Sequence, residues 1–248
     1  MPHDFNSTIL DDVAHRPWPI PNRPWVMTQT WNDLLFAHWT IDPVALRPKV
    51  PAAFELDLYD GAAWMAVVPF FMTNVSPRGV PSLPRISEFA ELNVRTYVRV
   101  ADRPGIYFFS LDAASALAVK TARALFNLPY YTAAMTMSAT ADGVDYRSER
   151  ESASLRATYR PVGPPFHPIE GTLEYFLTER YCLYNLDHRG TPYRLDIHHP
   201  RWSLQVAEAR VIRNTMAEAS GITLAPSPQL LHFAKRQDAI AWLPEVIA

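Results

Sequence analysis

Between Glu88 and Val100 the chain reads EFAELNVRTYVRV, with a period of two. Glu91, Asn93, Arg95 and Tyr97 fall on one face, Leu92, Val94, Thr96 and Val98 on the other. That period belongs to a strand and commits this part of the chain to a sheet. Other segments agree. AAWMAVVPFFMTNV (62–75), GIYFFSL (105–111), LPYYTAAMTMSA (128–139) and ASLRATYRP (153–161) read as strands. So do LEYFLTERYCLY (173–184), YRLDIHHPRW (193–202) and SLQVAEARVIRN (203–214). Asp60-Gly61 marks a turn before the strand at 62, and Asp142-Gly143 a hairpin. WNDLLFAHW (31–39) fits either a buried strand or a helical turn, because its apolar run is too short to show a period.

Helical signals are few. DAASALAVKTARALF (112–126) is alanine-rich with Asp112 at the expected N-cap, and predicts a helix. A shorter one is expected over 42–51, where Asp42 caps, Pro43 opens and Pro48 stops it. SPRGVPSLPR (76–85) is the segment least suited to regular structure. Residues 161–171, with four prolines or glycines in the first five positions, predict a loop. In 227–248 only LLHFAKR suggests a short strand. The proline-rich residues 1–24 read as an extended arm packed by Trp18 and Trp25. No repeat or linker divides the chain, so one domain spanning 1–248 is expected. Its fold class is mainly antiparallel β (α+β), a barrel or strongly curved sheets with a few helices.

Composition narrows the function. Of 248 residues 48% are hydrophobic and 19% charged, enough apolar material for a large core and too much for disorder. A net charge of −2 offers no electrostatic footprint for nucleic acid. No apolar run reaches the ~18 residues of a membrane span. The N-terminal MPHDFNSTILDDVAHRP has no apolar centre, so a cytoplasmic, reducing location is expected, in keeping with the single Cys182. Twenty-three prolines against eight glycines leave no glycine-rich phosphate loop, and no cofactor is expected. His198-His199 would point to opposite faces of a strand, and no His-x-His or His-Glu-x-x-His spacing occurs, so no metal site is expected. His38 reads as a core histidine and Cys182 as a small buried hydrophobe. Only three residues are lysine: Lys49, Lys120 and Lys235.

The order of segments WNDLLFAHW, ALRPKVP, DGAAWMAVVPF, FAELNVRTYV, FFSLDA, AR-x-x-x-x-LPYY, FLTERYCLY and IHHPRWSLQ is similar, over nearly the whole chain, to the YqjF-like family of the acetoacetate decarboxylase-like superfamily. Fewer residues resemble the decarboxylases proper: D-x-x-ALR-x-x-VP at 42–51, SLD at 110–112, and Glu91, whose F-A-E setting resembles the Y-x-E of a catalytic-site glutamate. The resemblance implies an acetoacetate decarboxylase-like barrel with Glu91 in its lumen. It also implies a homo-oligomer, since decarboxylases assemble through subunit interfaces, though no segment here marks one.

At the catalytic segment the two part company. Decarboxylases carry G-R-E-x-x-G-x-P-K-K, where the first lysine forms a Schiff base and the second lowers its pKa. This chain has Arg123 and Pro129 at the same spacing, followed by Tyr130 and Tyr131 in place of both lysines. A phenol cannot form an imine with a ketone. Lys120 stands ten residues before Tyr130 on the expected helix, where a lysine is far more often solvated. The arginine near the first strand of decarboxylases also has no counterpart, Trp31 or Asn32 falling there.

A polar constellation remains. If Glu91 lies in the lumen, Arg95 or Arg123 is expected to compensate its charge. Tyr130 and Tyr131 point to opposite faces, with the register open. Glu179 and Tyr181 share a face of their expected strand. One reading is a structural ion-pair network. The other is a small-molecule ligand, an organic acid with keto acids among the candidates, with Arg95 or Arg123 clamping the anion and Glu179 and Tyr181 also in the binding set. Glu91 is then the acid/base and Tyr130 or Tyr131 the donor to a carbonyl, making a lysine-independent lyase or isomerase. A carrier without turnover and a partner-binding structural protein are the alternatives.

Overall fold

A computed structural model describes residues 5–81, 87–141 and 143–247. Among them are fourteen strands. The first five are β1 (Met27–Ile41), β2 (Glu55–Leu56), β3 (Ala63–Pro77), β4 (Phe89–Val100) and β5 (Arg103–Ala113). Next come β6 (Tyr130–Thr132), β7 (Ala134–Thr140), β8 (Gly143–Arg150) and β9 (Ala153–Phe166). The last are β10 (Cys182–Leu186), β11 (Pro192–His198), β12 (Leu204–Asn214), β13 (Leu230–Ala241) and β14 (Glu245–Val246). Three short α-helices interrupt them: α1 (Pro43–Leu46), α2 (Ala116–Phe126) and α3 (Leu173–Thr178). The fold is therefore mainly antiparallel β, with parallel pairing at β5–β10 and β5–β6.

The sheet returns on itself. β11 pairs with β10 on one side and, through Ile197↔Ala241 and His198↔Ile240, with β13 on the other. Since β13 pairs with β1, the strands β11-β10-β5-β4-β3-β1-β13 form a closed circuit. From β13 the sheet also continues through β12, β9 and β8 to β7. Tyr146 of β8 and Tyr159 of β9 then share one core with Leu92, Val94 and Val98 of β4. The opposite face of β4 looks into the circuit, so this strand is buried on both sides. Its period of two separates the contents of the two interiors rather than core from solvent.

Local chemistry explains most boundaries. Asp60 and Gly61 take positive φ (49° and 76°), and Tyr59 and Ala62 exchange backbone hydrogen bonds of 3.0 Å across the turn. Asp42 accepts from the Val44 N–H at 2.9 Å, capping α1 with Pro43 at its start. WNDLLFAHW lies within β1, which carries an irregularity between Asn32 and Ala37 with Asp33 at φ 47°. Asp142 of the expected hairpin, and residues 82–85 of the loop expected over 76–85, lie outside the described residues. The N-terminal arm opens with a 3-10 turn, Ser7–Asp11, and Trp25 packs against Ile9, Ile240 and Trp242.

Several expectations need correction. Asp112 does not cap α2: strand pairing runs on to Ala113, and Ser115 accepts from the Ala118 N–H at 3.2 Å instead. Residues 173–184 are not one strand, because Thr172 caps a helix through Thr178 before β10 begins at Cys182. Glu179 and Tyr181 therefore share no strand face. β9 runs through the expected loop to Phe166, its Gly163-Pro164-Pro165 absorbed in a bulge where prolines owe no ladder hydrogen bond. The C-terminal region holds β13, twelve residues long and paired to β1, β11 and β12. Burial by neighbours on both sides erases the polar–apolar alternation that would have announced it. No helix among the described residues is long and apolar enough to cross a membrane.

Candidate functional site

All seven strands of the circuit contribute side chains to a cavity of about 150 Å³, roofed by Ala118, Thr121 and Ala122 of α2. Its wall is chiefly aromatic and aliphatic. Among the described residues that line it, Glu91 is the one carboxylate and Arg95 the one cation; Gln29, Asn93, Thr121 and Tyr130 are polar. Glu91, Asn93 and Arg95 share this face because they alternate along β4.

Glu91 is 3% exposed. Burial drives its carboxyl from the ordinary 4.5 up to about 8; the Tyr130 hydroxyl opposes the shift and nearby Asp112 adds to it. Glu91 is thus predominantly neutral at pH 7. The Tyr130 hydroxyl donates to both carboxyl oxygens at 3.3 Å, and the Tyr146 hydroxyl to the Glu91 carbonyl at 2.6 Å. Burial, with Glu91 beside it, holds the Tyr130 phenol well above its usual value, so it remains a donor. Behind Glu91, fully buried Asp112 pairs with Arg150 at 2.8 Å.

Neither expected arginine forms an ion pair with Glu91. Arg123 is exposed and donates from Nε to the Tyr130 carbonyl at 2.7 Å, and from Nη2 as well, so it anchors the strand that carries Tyr130 and lies outside the cavity lining. Arg95 is 8% exposed and lies 5.1 Å from the Phe36 ring centre and 5.9 Å from that of Tyr97. Its Nη2 donates at 3.4 Å to the Leu177 carbonyl, while Nε has no hydrogen-bond partner. Tyr97 in turn meets His38 Nε2 at 2.8 Å. His38 is fully buried, and desolvation with Arg95 close by holds it well below the usual imidazole value.

Of the other residues singled out in the sequence, Tyr131 is 39% exposed and points away from the cavity, under the guanidinium of Arg150 at 4.5 Å. Glu179 and Tyr181 are buried outside the cavity lining. The Tyr181 hydroxyl and the Trp202 backbone N–H, at 3.0 Å, both donate to Glu179. Trp202 does line the cavity, so Glu179 acts on the wall at one remove. Lys120, Lys49 and Lys235 are exposed, and none lines the cavity. His198 and His199 are both pushed down to about 4 by burial. No group of three or more metal-ligating residues is assembled among the described residues.

Sequence reasoning missed Trp202, Trp31 and Gln29. Trp202 follows the end of β11, where no period carries information, and its indole N–H is buried without a partner, as is the Oδ1 of Asn93. Phe70, opposite Glu91 on β3, hides in a continuous apolar run.

The closed, mainly antiparallel circuit around a cavity matches the acetoacetate decarboxylase-like fold. MppR, an enduracididine biosynthesis enzyme solved in complex with pyruvate, superposes with a TM-score of 0.63 at 11% identity, covering 96% of this chain and 98% of its own. Acetoacetate decarboxylase from Legionella pneumophila gives 0.60 at 14% identity, covering 99% and 97%. Within this fold the chain belongs to the DUF2071 family, described as an uncharacterized conserved protein, whose profile matches residues 28–238. The Bacillus subtilis (strain 168) protein YqjF, described as uncharacterized, is 49% identical over 226 residues, 90% of this chain and 93% of YqjF.

Proposed function

We propose that this protein binds a small carbonyl-bearing organic acid in the cavity and moves a proton at that carbonyl without a lysine. The observation that carries the reading is the pairing of two costly groups in one apolar cavity. One is a carboxyl that burial brings to about 8 beside a phenol donor; the other is a buried guanidinium with no carboxylate partner among the described residues. Neither arrangement is what a filled core would hold, since a buried unpaired cation costs several kcal/mol. An acid group titrating near neutral pH can both give and take a proton, which general acid–base catalysis needs. Neutral Glu91 offers an O–H donor to a carbonyl oxygen, Tyr130 offers a second once its hydroxyl turns from Glu91 to the ligand, and Arg95 offers a charged fork to a carboxylate.

Tyrosines at 130 and 131 and the exposed positions of all three lysines argue against Schiff-base chemistry. That MppR, with the same fold, is described in complex with pyruvate supports a small carbonyl compound here. A carrier without turnover is favoured by one fact: at neutral pH Glu91 is mostly protonated, so no strong base faces the cavity.

Thermal shift against a panel of keto, hydroxy and aromatic acids tests binding. A ligand at ~100 times its Kd adds about 2.7 kcal/mol of stability. Incubating hits in deuterium oxide and following their α-proton signals by NMR tests proton transfer. Exchange that is lost in Glu91→Gln establishes an enzyme. Binding without exchange leaves the carrier, and no hit from any class refutes the binding site.

A further inference from the structure

Arg95 and Glu91 both stand on the cavity face of β4, with Phe89 beyond Glu91. They are four residues apart on one strand, which at 3.2–3.4 Å per residue separates their backbone positions by about 13 Å. Their side chains engage different neighbours. Arg95 is held among Phe36, Tyr97 and the Leu177 carbonyl, whereas the Glu91 carboxyl meets Tyr130. Among the described residues the two share no hydrogen-bond partner and form no ion pair. Between them on the same face lies Asn93, and opposite Asn93 and Glu91 on β3 stand Val68 and Phe70. The two polar groups are thus divided by an apolar stretch interrupted by one amide, whose oxygen has no partner.

A 2-oxo acid carries its carboxylate and carbonyl on adjacent carbons and cannot reach both groups at once. Resting on the binding reading above, we propose that the ligand is an elongated oxo acid, with its carboxylate at Arg95 and its carbonyl at Glu91 and Tyr130. An aryl ring or medium alkyl chain separates the two. Side chains that stand perpendicular to the strand keep that spacing of about 13 Å, and about 3 Å for the hydrogen bond at each end then leaves about 7 Å between the functional groups. The intervening spacer buries apolar surface against Phe70 and Val68, which short acids leave unfilled.

A chain-length series tests this on the wild-type protein. Dissociation constants are measured by calorimetry for pyruvate, acetoacetate, 4-oxopentanoate, 6-oxoheptanoate, 8-oxononanoate and 4-acetylbenzoate, with heptanoate and benzoate as acids lacking the carbonyl. The long oxo acids should bind at least tenfold tighter than pyruvate and acetoacetate and tighter than their carbonyl-free counterparts. Arg95→Gln and Glu91→Gln should each weaken the best long acid, Arg95→Gln by about ten- to a hundredfold. Pyruvate binding as tightly as the long acids, or a long acid indifferent to either substitution, overturns the elongated ligand while leaving a binding site. Failure of every acid, short or long, overturns the site itself.

Discussion

Both faces of β4 are buried, and they use that burial differently. Toward β8 and β9 it presents Leu92, Val94 and Val98, each 0% exposed, side chains that need no hydrogen bonds. Into the cavity it presents Glu91, Asn93 and Arg95 at 3%, 6% and 8%, with a shifted carboxyl and polar atoms lacking partners. Burying each large aliphatic side chain contributes roughly 1.5–3 kcal/mol. Each incompletely satisfied polar group removes about 1–3 kcal/mol. One strand therefore carries a stabilising face and a destabilising one. Burial alone does not separate packing from function; the state of the buried polar groups does.

The largest effect should come from pH. An unfolded chain loses the Glu91 proton near 4.5 and the folded chain keeps it to about 8, so between those values the unfolded state binds fewer protons and stability falls as pH rises. At about 1.4 kcal/mol per unit, the fall approaches 5 kcal/mol. Glu91→Gln should remove it, as read from urea midpoints across pH 5–8. The neutral buried His198 and His199 give the opposite slope between about 4 and 6.5 in both proteins, so the difference isolates Glu91. A parallel pair of curves would mean that the carboxyl is not perturbed.

Next, Leu92→Ala should cost about 2–5 kcal/mol, the range for emptying a fully buried leucine site. Arg95→Met, one residue beyond Val94 but on the other face, should cost nothing or stabilise slightly while abolishing acid binding. Equal losses in chemical denaturation would show the cavity wall to be ordinary core. Tyr130→Phe should cost about 1 kcal/mol and raise the Glu91 titration, since the phenol favours the carboxylate form. Tyr131→Ala, half outside, should change melting behaviour by about 0.5 kcal/mol or less and leave ligand binding intact.

Much of this was legible in the sequence. The β4 alternation set Glu91, Asn93 and Arg95 on one face, and the turn at Asp60-Gly61 and the cap at Asp42 declared themselves by residue type. Family resemblance supplied the fold. Tertiary pairing decided the rest: Asp112 was claimed by the β5–β6 ladder rather than by α2, and β13 was hidden by neighbours on both sides. The site was half readable. Pattern showed which residues could face inward, but only the register could choose Tyr130 over Tyr131. No pattern could reveal that Glu91 answers its burial with a proton instead of an arginine. That outcome depends on distances across the cavity, which lie in no local stretch of sequence.

Infrared titration of the Glu91 carboxyl measures that outcome directly. In protein labelled with ¹³C-glutamate at the side-chain carboxyl, the protonated C=O band absent from Glu91→Gln should persist at pH 7 and titrate near 8. A band that disappears near 4.5 would mean a charged glutamate in the cavity, and with it an acid–base site of a different kind or none.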